Sequence, residues 1–182
     1  MAISNPLANE DLISQLLTKA TRAERHQYLR EHASLLGLEL LAALKTRADQ
    51  QEQQDPQVLR QISQIAAEVA ELLDDDIAQA IAAVIQGNTL RLLGQHQEAV
   101  ADYERAAALY QARGDQLAAA ISQIGQINSL THLGCYDQAL DLAGRIGAVF
   151  DAHDDRLARA KLDMNLPSKS NEGARTNRNG IM

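Results

Sequence analysis

Three groups of residues in this sequence are of types that can carry out chemistry. The acidic run 74–76 could suggest a metal site, but acids at a helix start more often accept hydrogen bonds from backbone amides. His26 and His32 are six residues apart, whereas two metal ligands on one helical face need a spacing of four. Cys135 follows a turn glycine, yet no base is near it in sequence, which favours a passive, partly buried thiol. The remaining histidines are predicted to be surface residues: His96, His132 and His153. These patterns predict a protein that is not an enzyme and that holds no metal or other cofactor.

The composition favours a soluble helical protein. The 182 residues are 46% hydrophobic but only 3% aromatic, and Ala, Leu, Ile and Gln are frequent. The net charge of -7 disfavours nucleic acid, including RNA, and anionic membranes as partners, because both bind through Lys and Arg. One cysteine excludes an internal disulfide and fits a reducing compartment. The sequence shows neither a signal peptide nor an apolar run of membrane-spanning length, so we expect a cytoplasmic protein.

The chain repeats itself every forty residues. Asp75, Asp115 and Asp155 recur at this spacing, and each is followed two residues later by an aliphatic residue and then by an alanine. The period continues through the next helix, where six positions match: Gln86 and Gln126, Asn88 and Asn128, Thr89 and Ser129, Leu90 and Leu130, Leu93 and Leu133, Gly94 and Gly134. Agreement at so many positions with one offset indicates a helical repeat.

The repeated residues have physical roles at helix boundaries. An aspartate before an apolar-periodic run caps a helix, and the glycines end one in a left-handed conformation. A unit is therefore a capped helix, a glycine turn, a second helix and a loop. Further caps are predicted at Thr21, in a capping box with Glu24, and at Asp55 before Pro56. The predicted helices are 9–19, 22–33, 36–52, 56–73, 76–93, 96–112, 116–133, 136–151 and 155–166.

Segment 93–106 resembles the second helix of a tetratricopeptide repeat (TPR). Ala99, Tyr103 and Ala106 stand at the family's small, aromatic and small positions, and Gly87 stands at its first-helix glycine. The resemblance implies an all-α, right-handed superhelical solenoid of helical hairpins. Small residues occur where two such helices cross, so we expect both alanines to be buried. We expect the tyrosine to fill the wedge between neighbouring hairpins.

The resemblance is less complete in the other units. The next unit keeps a small residue at Ala139, which we also expect to be buried, but has Ala143 in place of the aromatic residue and Ile127 in place of the glycine. The unit before is the most degenerate. The predicted organisation is an N-terminal helical segment (1–35), repeats (36–73, 76–112, 116–151 and a half repeat 155–166) and a disordered tail (167–182).

The resemblance also implies where a partner binds. Such repeats bind on the concave face lined by their first helices, and an asparagine there can donate to and accept from a peptide backbone at once. The alternatives are that each asparagine bonds a neighbouring helix and that Arg91 is solvated rather than paired with an acid of the partner. The predicted partner-binding residues are Asn88, Arg91, Asn128, Thr131 and His132, with Val84, Leu92 and Ile124 on the same face.

The layout is also similar to the amino-terminal part of bacterial TPR proteins that carry a caspase-like CHAT domain further on. Asn165 and Leu166 begin the Asn-Leu-Gly-Asn step of that family, but Pro167 replaces the expected glycine. No caspase-like His/Cys pair is present. This resemblance implies an alternative function, a non-catalytic regulatory fragment of a CHAT peptidase system that is truncated before the CHAT domain.

The last predicted helix, 155–166, has no second helix to cover it. Ala158, Leu162 and Leu166 lie on one stripe. Either this helix caps the preceding hairpin, or it is an exposed edge through which the chain self-associates or binds a partner.

The main prediction is a protein–protein interaction scaffold that binds a partner protein or peptide on its concave face.

Overall fold

The computed structural model describes residues 6–50 and 55–166, and the regular structure within these ranges is helical throughout. This confirms the all-α fold for the described part of the chain. A short 3₁₀ turn, Ala33–Leu35, separates the second and third α-helices. The α-helices are α1 (Pro6–Thr18), α2 (Arg22–Glu31), α3 (Leu38–Gln50), α4 (Pro56–Leu73), α5 (Asp76–Leu92), α6 (His96–Ala112), α7 (Gln116–Ser122), α8 (Ile124–His132), α9 (Tyr136–Ala152) and α10 (Arg156–Asn165).

The predicted helix caps are confirmed. In the capping box of α2, Glu24 N–H donates to Thr21 Oγ1 at 3.2 Å, and Thr21 N–H donates to Glu24 Oε2 at 3.0 Å. At the starts of α4, α5, α7 and α10, a carboxylate accepts from backbone amides within the first turn at 2.8–3.0 Å, from Asp55, Asp75, Asp115 and Asp155 respectively. Each cap satisfies amides that have no partner inside the helix.

The repeat is visible in the backbone angles. Among the described residues, positive φ angles occur at positions twenty residues apart: Asp74 (47°), Gly94 (75°), Gly114 (77°), Gly134 (75°) and Asp154 (51°). The left-handed turns predicted at the first and third of these glycines are confirmed. Each is followed by an amide that donates back across the turn, Gln95 N–H to the Leu90 carbonyl and Cys135 N–H to the Leu130 carbonyl, both at 2.9 Å. These bonds close the helix C-termini, so successive connections share one geometry.

The helices pack in two sets. We call α3, α5, α8 and α10, together with the short α7, the first helices. Of these, α3 contacts α5, α5 contacts α8, and α8 contacts α10. The second helices α4, α6 and α9 each contact the first helix before them and the one after. The N-terminal α1 contacts α3 and α4, and α2 contacts α4. No helix of the described residues is long and apolar enough to cross a membrane.

A buried ion pair attaches α2 to α4. The side chains of Arg25 and Glu68 are 9% and 7% exposed, and their closest atoms, Nη2 and Oε1, are 2.6 Å apart. A second bond joins Arg25 Nε to Glu68 Oε2 at 3.0 Å. The hydrogen bond from Glu68 raises the pKa of the Arg25 guanidinium, and burial opposes that rise. This fork of charge-assisted bonds constrains the orientation of α2 on α4.

Tyr103 lies in the gap between α5, α6 and α8, as predicted. Its side chain is 1% exposed. A Cβ atom at Gly87 of α5 would lie 2.9 Å from Tyr103 Cε1, and one at Gly125 of α8 would lie 2.6 Å from Cζ. The ring therefore occupies space that both glycines leave open. The alanines predicted to be buried have no exposed surface: Ala99, Ala106 and Ala139.

The prediction of one helix over 116–133 is wrong, because the helix breaks at Gln123. The turn there tightens to three-residue hydrogen bonds, from Gln123 N–H to the Ala120 carbonyl and from Gln126 N–H to the Gln123 carbonyl. Ser122 Oγ also donates to the Ala119 carbonyl at 2.7 Å, a side-chain bond that bends helices. Helix 22–33 was likewise predicted too long, since α2 ends at Glu31.

Helix α10 has one packed face and one exposed face. Ala158 and Leu162 are buried, and α10 contacts α8 and α9, as a cap on the preceding hairpin requires. Its other face exposes Leu157 and Met164 at 68% and 86%. The predicted disordered tail 167–182 and the last two positions of the predicted helix 36–52 lie outside the described residues.

Candidate partner-binding groove

The first helices enclose a groove of about 520 Å³. This volume lies within the usual range for sites that hold a ligand or a peptide side-chain cluster. The groove runs from α3 across α5, α7 and α8 to α10, and one residue of α6 reaches it. The residues that line it are Lys45, Ile81, Val84, Asn88, Arg91, Tyr110, Ala118, Ile121, Ser122, Ile124, Gly125, Lys161 and Asn165. We refer to this surface as the first-helix groove.

The middle of the groove is aliphatic. Ile81, Val84 and Ile124 are partly buried, and Ile121 is 44% exposed. These side chains belong to α5, α7 and α8, and Ile81 and Ile124 also pack against the hydrophobic core. A partner that covered them would remove apolar surface from water, which is the main favourable term in association.

Asn88 has its side-chain oxygen committed to the fold. Tyr103 Oη donates to Asn88 Oδ1 at 2.7 Å, so the bond to a neighbouring helix, one of the two alternatives, is present. The bond uses the oxygen of the side-chain amide, which also carries an Nδ2 group that can donate hydrogen bonds. Tyr103 thereby acts as a positioning residue for Asn88. Contact of Asn88 with a partner stays a prediction.

Three cationic side chains reach the groove from three different first helices. Lys45 belongs to α3, Arg91 to α5 and Lys161 to α10. Lys45 Nζ also pairs with Asp49 Oδ2 at 2.8 Å on its own helix, where both side chains are about half exposed. Among the described residues that line the groove there is no carboxylate. The lining itself therefore carries three cationic side chains and no anionic one, in a chain whose net charge is -7.

Two histidines, one at the start of α6 and one at the end of α8, stack on each other. The rings of His96 and His132 have centroids 4.4 Å apart and planes inclined by 20°. His132 and His153 are exposed, as predicted for surface residues. His96, for which the same prediction was made, is partly buried. Burial lowers the pKa of His96, and the charges of His132 and Arg91 lower it further. In the described part of the chain no group of three or more metal-ligating side chains comes together.

The structure brings part of the predicted site together. Asn88 and Arg91 line the groove, as do Val84 and Ile124 from the same predicted face. Four other predicted positions do not line it: Leu92, Asn128, Thr131 and His132. Two of these side chains are engaged within α8, since Thr131 Oγ1 donates to the Ile127 carbonyl at 2.8 Å and His132 Nδ1 lies 2.9 Å from the Asn128 carbonyl. Their use by a partner stays a prediction.

Several groove residues were not found from the sequence. Ile81, Ile121 and Lys161 stand forty residues apart, at the same position of the repeat. The period could therefore have predicted that all three line the same surface. Lys45 belongs to the degenerate first unit, where no register was evident. Tyr110 comes from a second helix and reaches the groove only through the packing of α6.

Comparison with known proteins gives no match, whether with models of protein families, with curated proteins or with solved structures.

Proposed function

We propose that this chain is a non-catalytic interaction scaffold that holds a segment of a partner protein in the first-helix groove. The observation that carries the proposal is the groove itself. It is open, and its lining combines aliphatic side chains from α5, α7 and α8 with polar and cationic ones. A surface of this kind offers hydrophobic burial for affinity and a few placed polar groups for orientation.

The proposal includes a finer description of the fold. We propose that units 36–73, 76–112 and 116–151 are tetratricopeptide-like hairpins stacked in a right-handed solenoid. The support is the even spacing of caps and left-handed turns, and the order in which first helices contact one another. A free, partly exposed thiol at Cys135 supports a reducing compartment, so the proposed location is the cytoplasm.

A pair of matched variants tests the groove. Ile121 lies in the groove and Leu140 lies on α9 outside it, and both side chains are 44% exposed. Peptides are first selected on the wild-type chain from a displayed random-peptide library, and their affinities are then measured by fluorescence anisotropy. Ile121→Ser should weaken binding roughly fivefold, because about half of an isoleucine side chain is available for burial by the peptide.

Leu140→Ser should leave the affinity unchanged, and both variants should melt at similar temperatures because the two side chains are equally exposed. The proposal fails if the library yields no binder. It also fails if the two substitutions weaken binding equally.

A further inference from the structure

We propose that the occupant of the first-helix groove is an acidic segment of a partner protein, with an apolar centre and carboxylates toward both ends. This inference rests on the proposed function and specifies the chemistry of the partner. It concerns an internal segment of a polypeptide rather than a free chain terminus. The argument comes from where the groove places its cations relative to its aliphatic side chains.

The cations stand at the two ends of the groove and beside its middle. Lys45 is on α3, the first of the groove helices, and Lys161 is on α10, the last. Arg91 is on α5, between them. In the order α3, α5, α8, α10 in which these helices contact one another, the two lysines belong to the first and the last helix. A ligand that meets both lysines therefore has to cross the groove.

The aliphatic middle lies between these cations. Ile81 and Val84 come from α5, Ile121 from α7 and Ile124 from α8, so the helices that bear them lie between α3 and α10. A ligand that crosses the groove meets positive charge, then apolar surface, then positive charge again. The complementary segment carries acids, then aliphatic side chains, then acids. Opposite charges at the rim set orientation and partner choice, while the apolar centre supplies affinity.

The contrast with the rest of the chain strengthens the case. The protein has 24 acidic and 17 basic residues, yet the described residues lining this groove include three cations and no carboxylate. The same charge balance argues against a nucleic acid, since a long polyanion would meet three cations here and a net charge of -7 over the whole chain. A short acidic segment avoids most of that repulsion.

The chain's own C-terminal residues are a poor match for the groove. Sequence 167–182 contains Lys169, Arg175 and Arg178 but only one acid, Glu172. A segment with that charge would face Lys45, Arg91 and Lys161 with the same sign. The occupant is therefore assigned to another protein.

The experiment uses two double variants of the full chain with the same change in net charge. Lys45→Gln/Lys161→Gln removes the two end cations of the groove. Arg60→Gln/Arg145→Gln removes two exposed cations of the second helices α4 and α9, outside the groove. Both lysines of the first variant and both arginines of the second are polar surface positions, and the melting temperature of each variant checks that folding is unchanged. The probe is a displayed random-peptide library in which every peptide is flanked on both sides by chain of the display protein and is thus presented as an internal segment.

The expected result is that wild-type protein enriches peptides with aliphatic centres and flanking Asp or Glu. Their affinity should fall roughly three- to thirtyfold in Lys45→Gln/Lys161→Gln, the loss of two partly exposed ion pairs, and should not fall in the arginine control. Added salt should weaken wild-type binding and have little further effect on the lysine variant.

Two other outcomes separate this inference from the proposed function. Enrichment of neutral or basic peptides whose binding depends on Ile121 would overturn the acidic occupant and leave the scaffold role standing. A library that yields no groove-dependent binder overturns both. Competition by a single-stranded homopolymeric RNA for the selected peptides would also count against the acidic protein segment, since it would assign the cations to phosphate.

Discussion

Replacement of Tyr103 tests whether its ring fills the gap between α5, α6 and α8. The residue is 1% exposed and faces Gly87 and Gly125 across α5 and α8. Tyr103→Ala should lower the free energy of unfolding by about 3–5 kcal/mol, because it removes a buried ring and leaves a cavity. We expect the loss to lie near the upper end of this range, because two of the surrounding residues are glycines and have no side chains that could move into the cavity.

Tyr103→Phe separates the hydrogen bond from the packing. It keeps the ring and removes only the hydroxyl that donates to Asn88 at 2.7 Å. The expected loss is about 1 kcal/mol, the typical net contribution of one hydrogen bond to stability. Urea denaturation followed by far-ultraviolet circular dichroism measures both losses. For a chain of this size, the alanine variant should melt roughly 6–20 °C lower than wild type.

The matched control is Tyr136→Ala at the start of α9, where the tyrosine is only partly buried. It should cost clearly less than Tyr103→Ala. If the two alanine variants lost the same stability, or if Tyr103→Ala stayed within about 1 kcal/mol of wild type, the placement of Tyr103 between α5 and α8 would be wrong.

The remaining predictions concern the ion pair and a histidine. Arg25→Met and Glu68→Leu should each cost about 3–5 kcal/mol, because each leaves a buried charge unpaired, whereas the double variant Arg25→Met/Glu68→Leu should cost much less than the sum of the two in a double-mutant cycle. Strictly additive costs in urea denaturation would contradict the buried pair. The pKa of His96 in the folded chain lies below its ordinary value of 6.5. When the pH falls through 6.5, the unfolded chain therefore binds more protons than the folded chain, and the free energy of unfolding should decrease. Between neutral and mildly acidic buffer, the melting temperature of the wild type should therefore decrease more than that of His96→Gln. Equal decreases in a thermal scan would contradict the lowered pKa of His96.

The features predicted correctly from sequence are those that depend on neighbours along the chain. The caps at Asp75, Asp115 and Asp155 form within their own first turns, and the turns at Gly94 and Gly134 close with bonds inside the same helix end. The buried alanines follow from the repeat, since each unit packs against the next in the same way. Local chemistry plus one period accounts for these features.

The features that were missed depend on packing between distant segments. Arg25 and Glu68 are 43 residues apart, and no period relates them. The break at Gln123 comes from a tightened turn beside Gly125, where Tyr103 fills the gap, and helix propensity alone does not show it. Lys45 reaches the groove because α3 packs beside α5, although its unit has lost the sequence pattern of the others.

The most direct test of the account is to locate a bound peptide on the chain. Methyl signals of the protein are followed by nuclear magnetic resonance while an acidic peptide selected from the display library is added. The account predicts that the signals of Val84, Ile121 and Ile124 shift together with the same dissociation constant, while that of Leu140 stays in place. Shifts confined to Leu140, or to Leu157 and Met164 on the exposed face of α10, would show that the partner binds elsewhere and would contradict the first-helix groove.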